Sequence, residues 1–177
     1  MSELSVALKD CGALQFGEFV LASGAKSDYY IDVKKAITEP KVLYLISQLM
    51  AERMQIDNIR PDRIAGVVLG SVPLATALSL ATGIPYVMIR KEKKDHGTGK
   101  LIEGELNPGD KVLVVEDVIT TAGSSIKAIH TLREAGADVL GVMSVIDREA
   151  GGEENLRAEG VSFTPLVKAS VLVSENR

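Results

Sequence analysis

Residues 111–125 read Lys111-Val112-Leu113-Val114-Val115-Glu116-Asp117-Val118-Ile119-Thr120-Thr121-Ala122-Gly123-Ser124-Ser125, and this segment decides the fold. The run from Val112 to Val115 is β-branched and aliphatic, which is typical of a strand that is buried on both faces of a sheet. The stretch from Ile126 to Ala135 has the pattern of a helix that ends at Gly136. We therefore predict a strand, a tight turn and a helix in this order.

Two acidic residues and a loop of small residues follow the apolar run. Glu116 and Asp117 come directly at its carboxyl end, and the stretch from Thr120 to Ser125 is rich in hydroxyl groups. Free backbone N–H groups and the positive end of a helix dipole make such a loop a site for anions. Paired carboxylates would repel a phosphate, so they are better explained as holding sugar hydroxyls or a divalent cation. The segment indicates a ribose 5-phosphate site, although acids before a helix also occur in ordinary strand–turn–helix units.

Length, charge and cysteine content exclude several classes of protein. The chain has 177 residues, which predicts one domain with a real core, and its net charge of −4 argues against nucleic acid as the main partner. Its only cysteine, Cys11, cannot form an internal disulfide or a cysteine cluster for a metal. The first residues contain no apolar secretory signal, and glycines and prolines interrupt the apolar stretch from Ala65 to Ile89. We expect a cytoplasmic protein without a membrane span.

Strand and helix patterns alternate from Arg63 onward. We predict five strands, the last of them at an edge, at Ile64 to Leu69, Tyr86 to Ile89, Val112 to Val115, Val139 to Ile146 and Phe163 to Val167. Helices are predicted at Leu74 to Ala81 and at Ile126 to Ala135. This order predicts an α/β fold with a doubly wound, mostly parallel sheet.

The first forty residues have a different pattern. A short helix is predicted at Leu4 to Cys11, strands at Leu14 to Leu21 and Tyr29 to Val33, and a longer helix that starts near Pro40. The aromatic residues between Phe16 and Tyr30 form either a small hydrophobic cluster or a lid over a planar ligand. We expect this part to be a small cap packed on the main domain.

Ligands of doubly wound sheets bind beyond the carboxyl ends of the strands. That rule brings four segments to one rim, namely Gly70-Ser71-Val72-Pro73, the loop after Ile89, the stretch from Glu116 to Ser124, and Asp147-Arg148. The loop after Ile89 begins with Arg90 to Lys100, which carries five Lys or Arg residues against two acids. A charged run is usually a solvated loop, but this length and position favour a lid that binds a second anion such as diphosphate.

Separated blocks of the chain resemble the type I phosphoribosyltransferases, whose donor substrate is phosphoribosyl diphosphate (PRPP). The stretch from Val115 to Ser124 is similar to the PRPP signature of that family. Three more blocks resemble the orotate phosphoribosyltransferases within it: the hood (Phe16-Gly17-Glu18-Phe19, Ser23-Gly24, Lys26-Ser27 and Tyr30), the catalytic loop (Arg90-Lys91-x-x-Lys94-Asp95-His96-Gly97) and a base-contacting arginine (Asp147-Arg148). Together the blocks span nearly the whole chain.

This resemblance implies transfer of the 5-phosphoribosyl group from PRPP to orotate, which gives orotidine 5′-monophosphate and diphosphate in pyrimidine biosynthesis. It implies dependence on Mg²⁺, held mainly through PRPP without a direct protein ligand. It also implies a homodimer that shares lid residues across its interface, with neither nucleic acid nor a membrane as a partner. Residues 1–177 would form a single phosphoribosyltransferase domain, with a hood over about 1–35 and a core over 36–177.

The resemblance also implies a role for each matching residue. The catalytic residues would be Lys94, His96 and Asp117. PRPP would be bound by Arg90, Lys91, Lys94, His96, Glu116, Asp117, Val118, Ile119, Thr120, Thr121, Ala122, Gly123 and Ser124. Orotate would be bound by Thr120 and Arg148.

The chain departs at three places from the pattern of the family that it resembles. Ala22 stands where many members have a lysine before the Ser-Gly of the hood, and Tyr30-Ile31 where some have two phenylalanines. The segment Gly70-Ser71-Val72-Pro73 replaces a longer Pro-x-Tyr-Lys-Gly loop. One orotate contact and one diphosphate contact are therefore missing or supplied by other residues.

Two other functions remain open at this point. The first is a phosphoribosyltransferase for uracil or a purine, against which Arg148 and the hood argue. The second is a regulator that senses a ligand through the PRPP fold and binds RNA or DNA, against which the net charge of −4 argues.

Overall fold

The computed structural model describes residues 2–20, 26–92 and 100–177. In chain order its helices and strands are α1 (Glu3–Asp10), β1 (Leu14–Val20), β2 (Lys26–Ile31), α2 (Val33–Ile37), α3 (Pro40–Ile56), β3 (Arg63–Val67), α4 (Val72–Thr82), β4 (Tyr86–Ile89), β5 (Ile102–Glu103), β6 (Lys111–Ile119), α5 (Gly123–Glu134), β7 (Asp138–Asp147), α6 (Gly152–Ala158), β8 (Ser162–Lys168) and α7 (Ala169–Asn176).

A six-stranded sheet with the order β5-β4-β3-β6-β7-β8 forms the centre of the fold. Its strands are parallel except for β5, which pairs antiparallel with β4 at one edge. One face packs on a core shared with α3, α4 and α7, and the other on a core shared with α5 and α6. The predicted α/β fold with a mostly parallel sheet is confirmed, and so is the edge position of the last strand.

The central strand β6 is buried on both faces, as its sequence predicts. Val112 and Val114 pack into the core on the α5 side, whereas Leu113 and Val115 pack into the core on the α3 side. This alternation follows from the two-residue period of a strand. The six-stranded sheet is therefore organised around β6, the strand of the segment of residues 111–125.

The structure corrects the predicted end of this strand. We expected β6 to end at Val115, but it continues to Ile119, so Glu116 and Asp117 lie within the strand. Pairing with β7 extends as far as Ile119, whereas the register with β3 ends at the pair Gly66–Val115. Beyond Val115, β6 is therefore paired with β7 but not with β3, and both acids lie in this part of the strand.

Several predicted bounds are wrong at the periphery. The second strand covers Lys26–Ile31 instead of Tyr29 to Val33, because Asp32 ends it and caps α2 through the backbone N–H of Lys34. Helices α2, α6 and α7 and strand β5 are not predicted by the sequence pattern. Helix α2 has five residues and β5 has two, which is too short for a periodic pattern to appear.

The N-terminal part forms a hairpin next to the main sheet. Strands β1 and β2 pair antiparallel, and the pair Leu14–Ile31 is buried in the same core as helix α3. On the hairpin the rings of Phe19 and Tyr30 lie 5.6 Å apart. The division into a hood and a core remains a prediction. No helix in the described part of the chain is long and apolar enough to cross a membrane.

Candidate active site

A pocket of about 230 Å³ opens at the carboxyl ends of β3, β4 and β6. It is lined by residues 67–71, 116–120 and 122–125, together with Lys34 and Lys91. Three of the four segments predicted to share a rim therefore meet here. The peptide bond between Val68 and Leu69 in the pocket wall is cis.

Asp117 presents one carboxylate oxygen to the pocket. Its Oδ1 accepts the backbone N–H of Val118 at 2.8 Å, and its Oδ2 lies 3.7 Å from Nζ of Lys34. A Cβ atom on Gly70 would come within 2.7 Å of the same Oδ2. The absence of a side chain at Gly70 therefore lets the loop after β3 close against this carboxylate.

Glu116 has a different environment from its neighbour. Its side chain is buried, its Oε2 accepts a hydrogen bond from the hydroxyl of Ser71, and its Oε1 accepts one from Ser125 at 3.2 Å. Burial raises the pKa of Glu116 from an ordinary value of 4.5 to about 7, and the charge of Asp117 adds to this effect. The two hydroxyl bonds and the charge of Lys91 oppose the increase of that pKa.

These hydrogen bonds connect Glu116 to two loops of the pocket. Ser71 lies directly before α4, and Ser125 lies in the first turn of α5. The carboxyl of Glu116 thus joins the loop after β3 to the loop after β6. Although the acids are adjacent in sequence, Glu116 is held by protein groups and Asp117 has an oxygen facing the pocket.

The hydroxyl-rich loop after β6 leads into the N-terminus of α5. Thr120, Gly123 and Ser124 are exposed and line the pocket, with Ala122 between them. Ala122 precedes the helix with a φ of 64°, which non-glycine residues rarely adopt and which often occurs in functional loops. The carbonyl of Thr121 accepts a hydrogen bond from Asn155 at 3.0 Å. A turn of this shape directs backbone N–H groups into the pocket and suits a phosphate.

Helix α6 supports this loop from behind through Gly152. A Cβ atom at this position would lie 2.3 Å from Cγ2 of Ile119 and 2.6 Å from the carbonyl oxygen of Thr120. Both distances are far below a normal contact, and the second involves backbone. The loop can keep its place only if residue 152 has no side chain.

We expect Gly152→Ala to lower the free energy of unfolding by about 1–3 kcal/mol, the usual range for overpacking. The same substitution should weaken binding of a phosphate by this loop, because the shift reaches Thr120 in the pocket. Urea unfolding and the dissociation constant of inorganic phosphate measure the two effects. Glu154→Ala, an exposed position on the same helix, serves as the control and should change neither quantity appreciably. A Gly152→Ala variant with unchanged stability and unchanged phosphate affinity would contradict this packing.

The two predicted arginines, Arg90 and Arg148, do not line the pocket, but each lies next to a residue that does. The backbone N–H of Arg148 donates to the carbonyl of Ile119 at 2.8 Å, and its guanidinium lies 6.0 Å from the ring centre of Tyr29. Arg90 forms an ion pair with Glu103 of β5, with 2.9 Å between Nε and Oε1. Arg148 therefore joins the hairpin to the rim, whereas Arg90 points toward the edge strand.

Two of the predicted catalytic residues, Lys94 and His96, lie outside the described residues, as do Ala22 and the Ser23-Gly24 pair. Conversely, Lys34 lines the pocket but was not predicted to belong to it. Lys34 comes from a short helix far from the signature in sequence, and no motif marks it. Within residues 2–20, 26–92 and 100–177, no three His, Cys, Asp or Glu side chains form a group that could hold a metal ion.

The comparison with known proteins identifies the family of the chain. Residues 34–171 match the model of the phosphoribosyl transferase domain family. The orotate phosphoribosyltransferase of Pyrococcus horikoshii is 55% identical over 161 residues, which cover 91% of this chain and 87% of that protein.

Solved structures agree as well. The crystal structure of orotate phosphoribosyltransferase from Aeropyrum pernix matches with a TM-score of 0.88 and 33% identity, over 98% of this chain and 97% of that one. The Mycobacterium tuberculosis enzyme in complex with PRPP matches with a TM-score of 0.80 and 32% identity, over 97% of both chains. The resemblance seen in the sequence is thereby confirmed, and the chain belongs to the orotate phosphoribosyltransferases of the phosphoribosyl transferase domain family.

Proposed function

We propose that this chain transfers the 5-phosphoribosyl group from PRPP to orotate and releases orotidine 5′-monophosphate and diphosphate. The observation that carries the proposal is a single pocket that combines a hydroxyl-rich helix N-terminus with Asp117. An anion site and a carboxylate at this spacing suit the phosphate and the hydroxyls of one ribose 5-phosphate unit. Membership of the orotate phosphoribosyltransferases supports orotate as the acceptor.

The reaction places the main demand on electrostatics. A ring nitrogen of orotate loses its proton, to the departing diphosphate or to solvent, and forms a bond to the anomeric carbon, while the bond from that carbon to the diphosphate oxygen breaks. Positive charge develops on the ribose and negative charge on the leaving group. Fixed charges that match this separation lower the barrier, because they interact more strongly with the transition state than with the substrates.

We assign the residues of the pocket to the parts of PRPP. The loop of residues 118–124, from Val118 to Ser124, would hold the 5-phosphate, and Asp117 with Glu116 would hold the ribose hydroxyls. The diphosphate would lie near Lys91, with Arg90, Lys94 and His96 as further partners. Asp117 would hold the sugar in line for attack, which is a positioning role.

Arg148 and Thr120 would hold the acceptor base. The guanidinium of Arg148 is half-buried at the rim and suits the carboxylate of orotate, which uracil and purines lack. That guanidinium lies 6.0 Å from the ring centre of Tyr29, within the range of a cation–π contact. This arrangement supports orotate over an uncharged base.

The residues of the pocket fit a Mg²⁺ ion that arrives with its substrate. Mg²⁺ keeps several waters and binds readily through substrate phosphates, so it would be held mainly through PRPP and not by a direct protein ligand. When bound, Mg²⁺ would supply positive charge next to the diphosphate.

We also propose a homodimer that shares lid residues. The exposed side chains of Tyr44 and Leu80 offer apolar surface for a second copy.

The test of this function is orotate-dependent release of diphosphate from PRPP, measured with and without Mg²⁺. We expect turnover with orotate and Mg²⁺, and little with uracil, adenine or hypoxanthine. A faster reaction with one of these bases would assign the chain to another phosphoribosyltransferase activity. Binding of RNA without any turnover would favour the regulator instead.

We expect Lys94→Ala to lower kcat by on the order of 10²-fold, the range for loss of one preorganised charge that stabilises a leaving group. The assignment of Lys94 rests on the resemblance of the basic loop to the family's catalytic loop. The neighbouring Lys93 is outside that pattern, so Lys93→Ala is the control for loss of charge alone. Turnover of Lys94→Ala close to that of the control would refute the role of Lys94 in this loop.

A further inference from the structure

Lys34 lines the pocket but belongs neither to the signature, nor to the basic loop, nor to the loop after β3. We propose that Lys34 binds the diphosphate of PRPP and so provides a positive charge that the short loop at residues 70–73 lacks. The inference rests on the proposed function, because it assigns one contact to the same donor substrate. It makes Lys34 a substrate-binding residue contributed by the N-terminal part of the chain.

The backbone of Lys34 is held firmly in place. Its N–H donates to Oδ1 of Asp32 at the start of α2, and Val33, Ala36 and Ile37 on the same helix are buried. The side chain of Lys34 is 71% exposed at the pocket. A rigid helix therefore presents a cationic side chain that can reach for a ligand.

One oxygen atom locates the ammonium group within the pocket. Oδ2 of Asp117 lies 3.7 Å from Nζ of Lys34, and a Cβ atom on Gly70 would lie 2.7 Å from the same oxygen. The ammonium group thus lies beside the loop that follows β3. That loop reads Gly70-Ser71-Val72-Pro73 and has no cationic side chain of its own.

The strand order puts this loop on the diphosphate side of the site. Strands β4 and β3 lie on one side of β6, and their ends carry Lys91 and Gly70. The loop for the 5-phosphate follows β6 itself and leads into α5. Lys91 and the loop of Gly70 therefore follow strands on the same side of β6, and Lys34 reaches the pocket beside that loop, with Nζ 3.7 Å from Oδ2 of Asp117.

The contact with Asp117 leaves Lys34 available to a ligand. A separation of 3.7 Å is an ion pair, but it is longer than an N–H···O hydrogen bond. Among the described residues, Lys34 and Lys91 are the cationic side chains that line the pocket, and Glu116 and Asp117 are the acidic ones. A diphosphate carries several negative charges, so it would attract this ammonium more strongly than one carboxylate does.

Binding of inorganic diphosphate in the presence of Mg²⁺, measured by calorimetry, tests the proposal without any turnover. Lys34→Ala should weaken diphosphate binding and raise KM for PRPP by about 10-fold or more, the range for loss of a hydrogen bond to a charged group. The affinity for ribose 5-phosphate, which has no diphosphate, should change by less than about 3-fold, and Lys34→Arg should restore most of the lost diphosphate affinity.

Lys35→Ala is the matched control. Lys35 is exposed on the same helix but lines a different surface cleft, with Asp10 and Glu39, and its loss should leave diphosphate affinity unchanged. Equal weakening of ribose 5-phosphate and diphosphate by Lys34→Ala would overturn the proposal, because Lys34 would then act only by orienting Asp117. If diphosphate binding depends on Lys34 but the chain shows no turnover with orotate, this inference is supported and only the proposed reaction is contradicted.

Discussion

Asp117→Asn is expected to lower kcat/KM for PRPP by on the order of 10³-fold while the fold stays intact. The substitution preserves shape and removes one negative charge. An amide oxygen can still accept the backbone N–H of Val118, which now binds Oδ1 at 2.8 Å. The change is therefore confined to the group that replaces Oδ2, the oxygen facing the pocket.

The loss of this oxygen acts on both the ribose and its surroundings. An NH₂ group is a donor, so it cannot accept hydrogen bonds from sugar hydroxyls as a carboxylate does. It also removes the negative charge next to the ribose, where positive charge develops in the transition state. Finally, an NH₂ group would face the ammonium of Lys34, which now lies 3.7 Å from Oδ2. All three effects act against transfer of the phosphoribosyl group.

The experiment compares steady-state kinetics and thermal unfolding of Asp117→Asn with those of Asp138→Asn. Asp138 is exposed at the start of β7, at the opposite end of the sheet, and should give kinetics like those of the unmodified chain. The melting temperature of Asp117→Asn should stay close to that of the unmodified chain. A kcat/KM within about 10-fold of the control would show that Asp117 does not hold the ribose.

The sequence predicts the central part of this fold because its signal is local. Val112 to Val115 is apolar on both faces, and in a parallel sheet such a run belongs to an inner strand. The structure places these four residues in two cores on opposite faces of β6. The rule that ligands bind at the carboxyl ends of parallel strands then locates the pocket without coordinates.

The environment of each acid could not be predicted in the same way. Glu116 and Asp117 look equivalent in the sequence, and only the approach of Ser71 and Ser125 distinguishes them. Ser71 is 45 residues away from Glu116 along the chain, and nothing near it in sequence indicates the contact. Lys34 escaped prediction for the same reason, since its place depends on how a short helix packs beside β6.

The strongest pH-dependent effect should come from Glu116. Its pKa is about 7 in the folded chain because burial disfavours the charged form, whereas an ordinary glutamate has 4.5. Between these values the folded chain keeps the proton and the unfolded chain has lost it. The folded state then binds more protons, so its free energy of unfolding falls as pH rises through this window. The contribution from Glu116 is on the order of 3 kcal/mol.

Glu116→Gln isolates this contribution, because glutamine resembles the protonated acid. Its Oε1 can accept one serine hydroxyl and its NH₂ can donate to the other, since hydroxyls both donate and accept. The stability of Glu116→Gln relative to the unmodified chain should therefore rise by on the order of 3 kcal/mol between about pH 4.5 and about pH 8. Urea unfolding at a series of pH values measures the difference.

Taking the difference removes the contributions of other carboxyl groups, which both proteins share. Glu134→Gln, at an exposed position on α5, should show no such pH trend relative to the unmodified chain. A difference between Glu116→Gln and the unmodified chain that stays constant with pH would mean that Glu116 is ionised in the folded state throughout. In that case water or a cation, rather than Ser71 and Ser125 alone, would have to stabilise its charge.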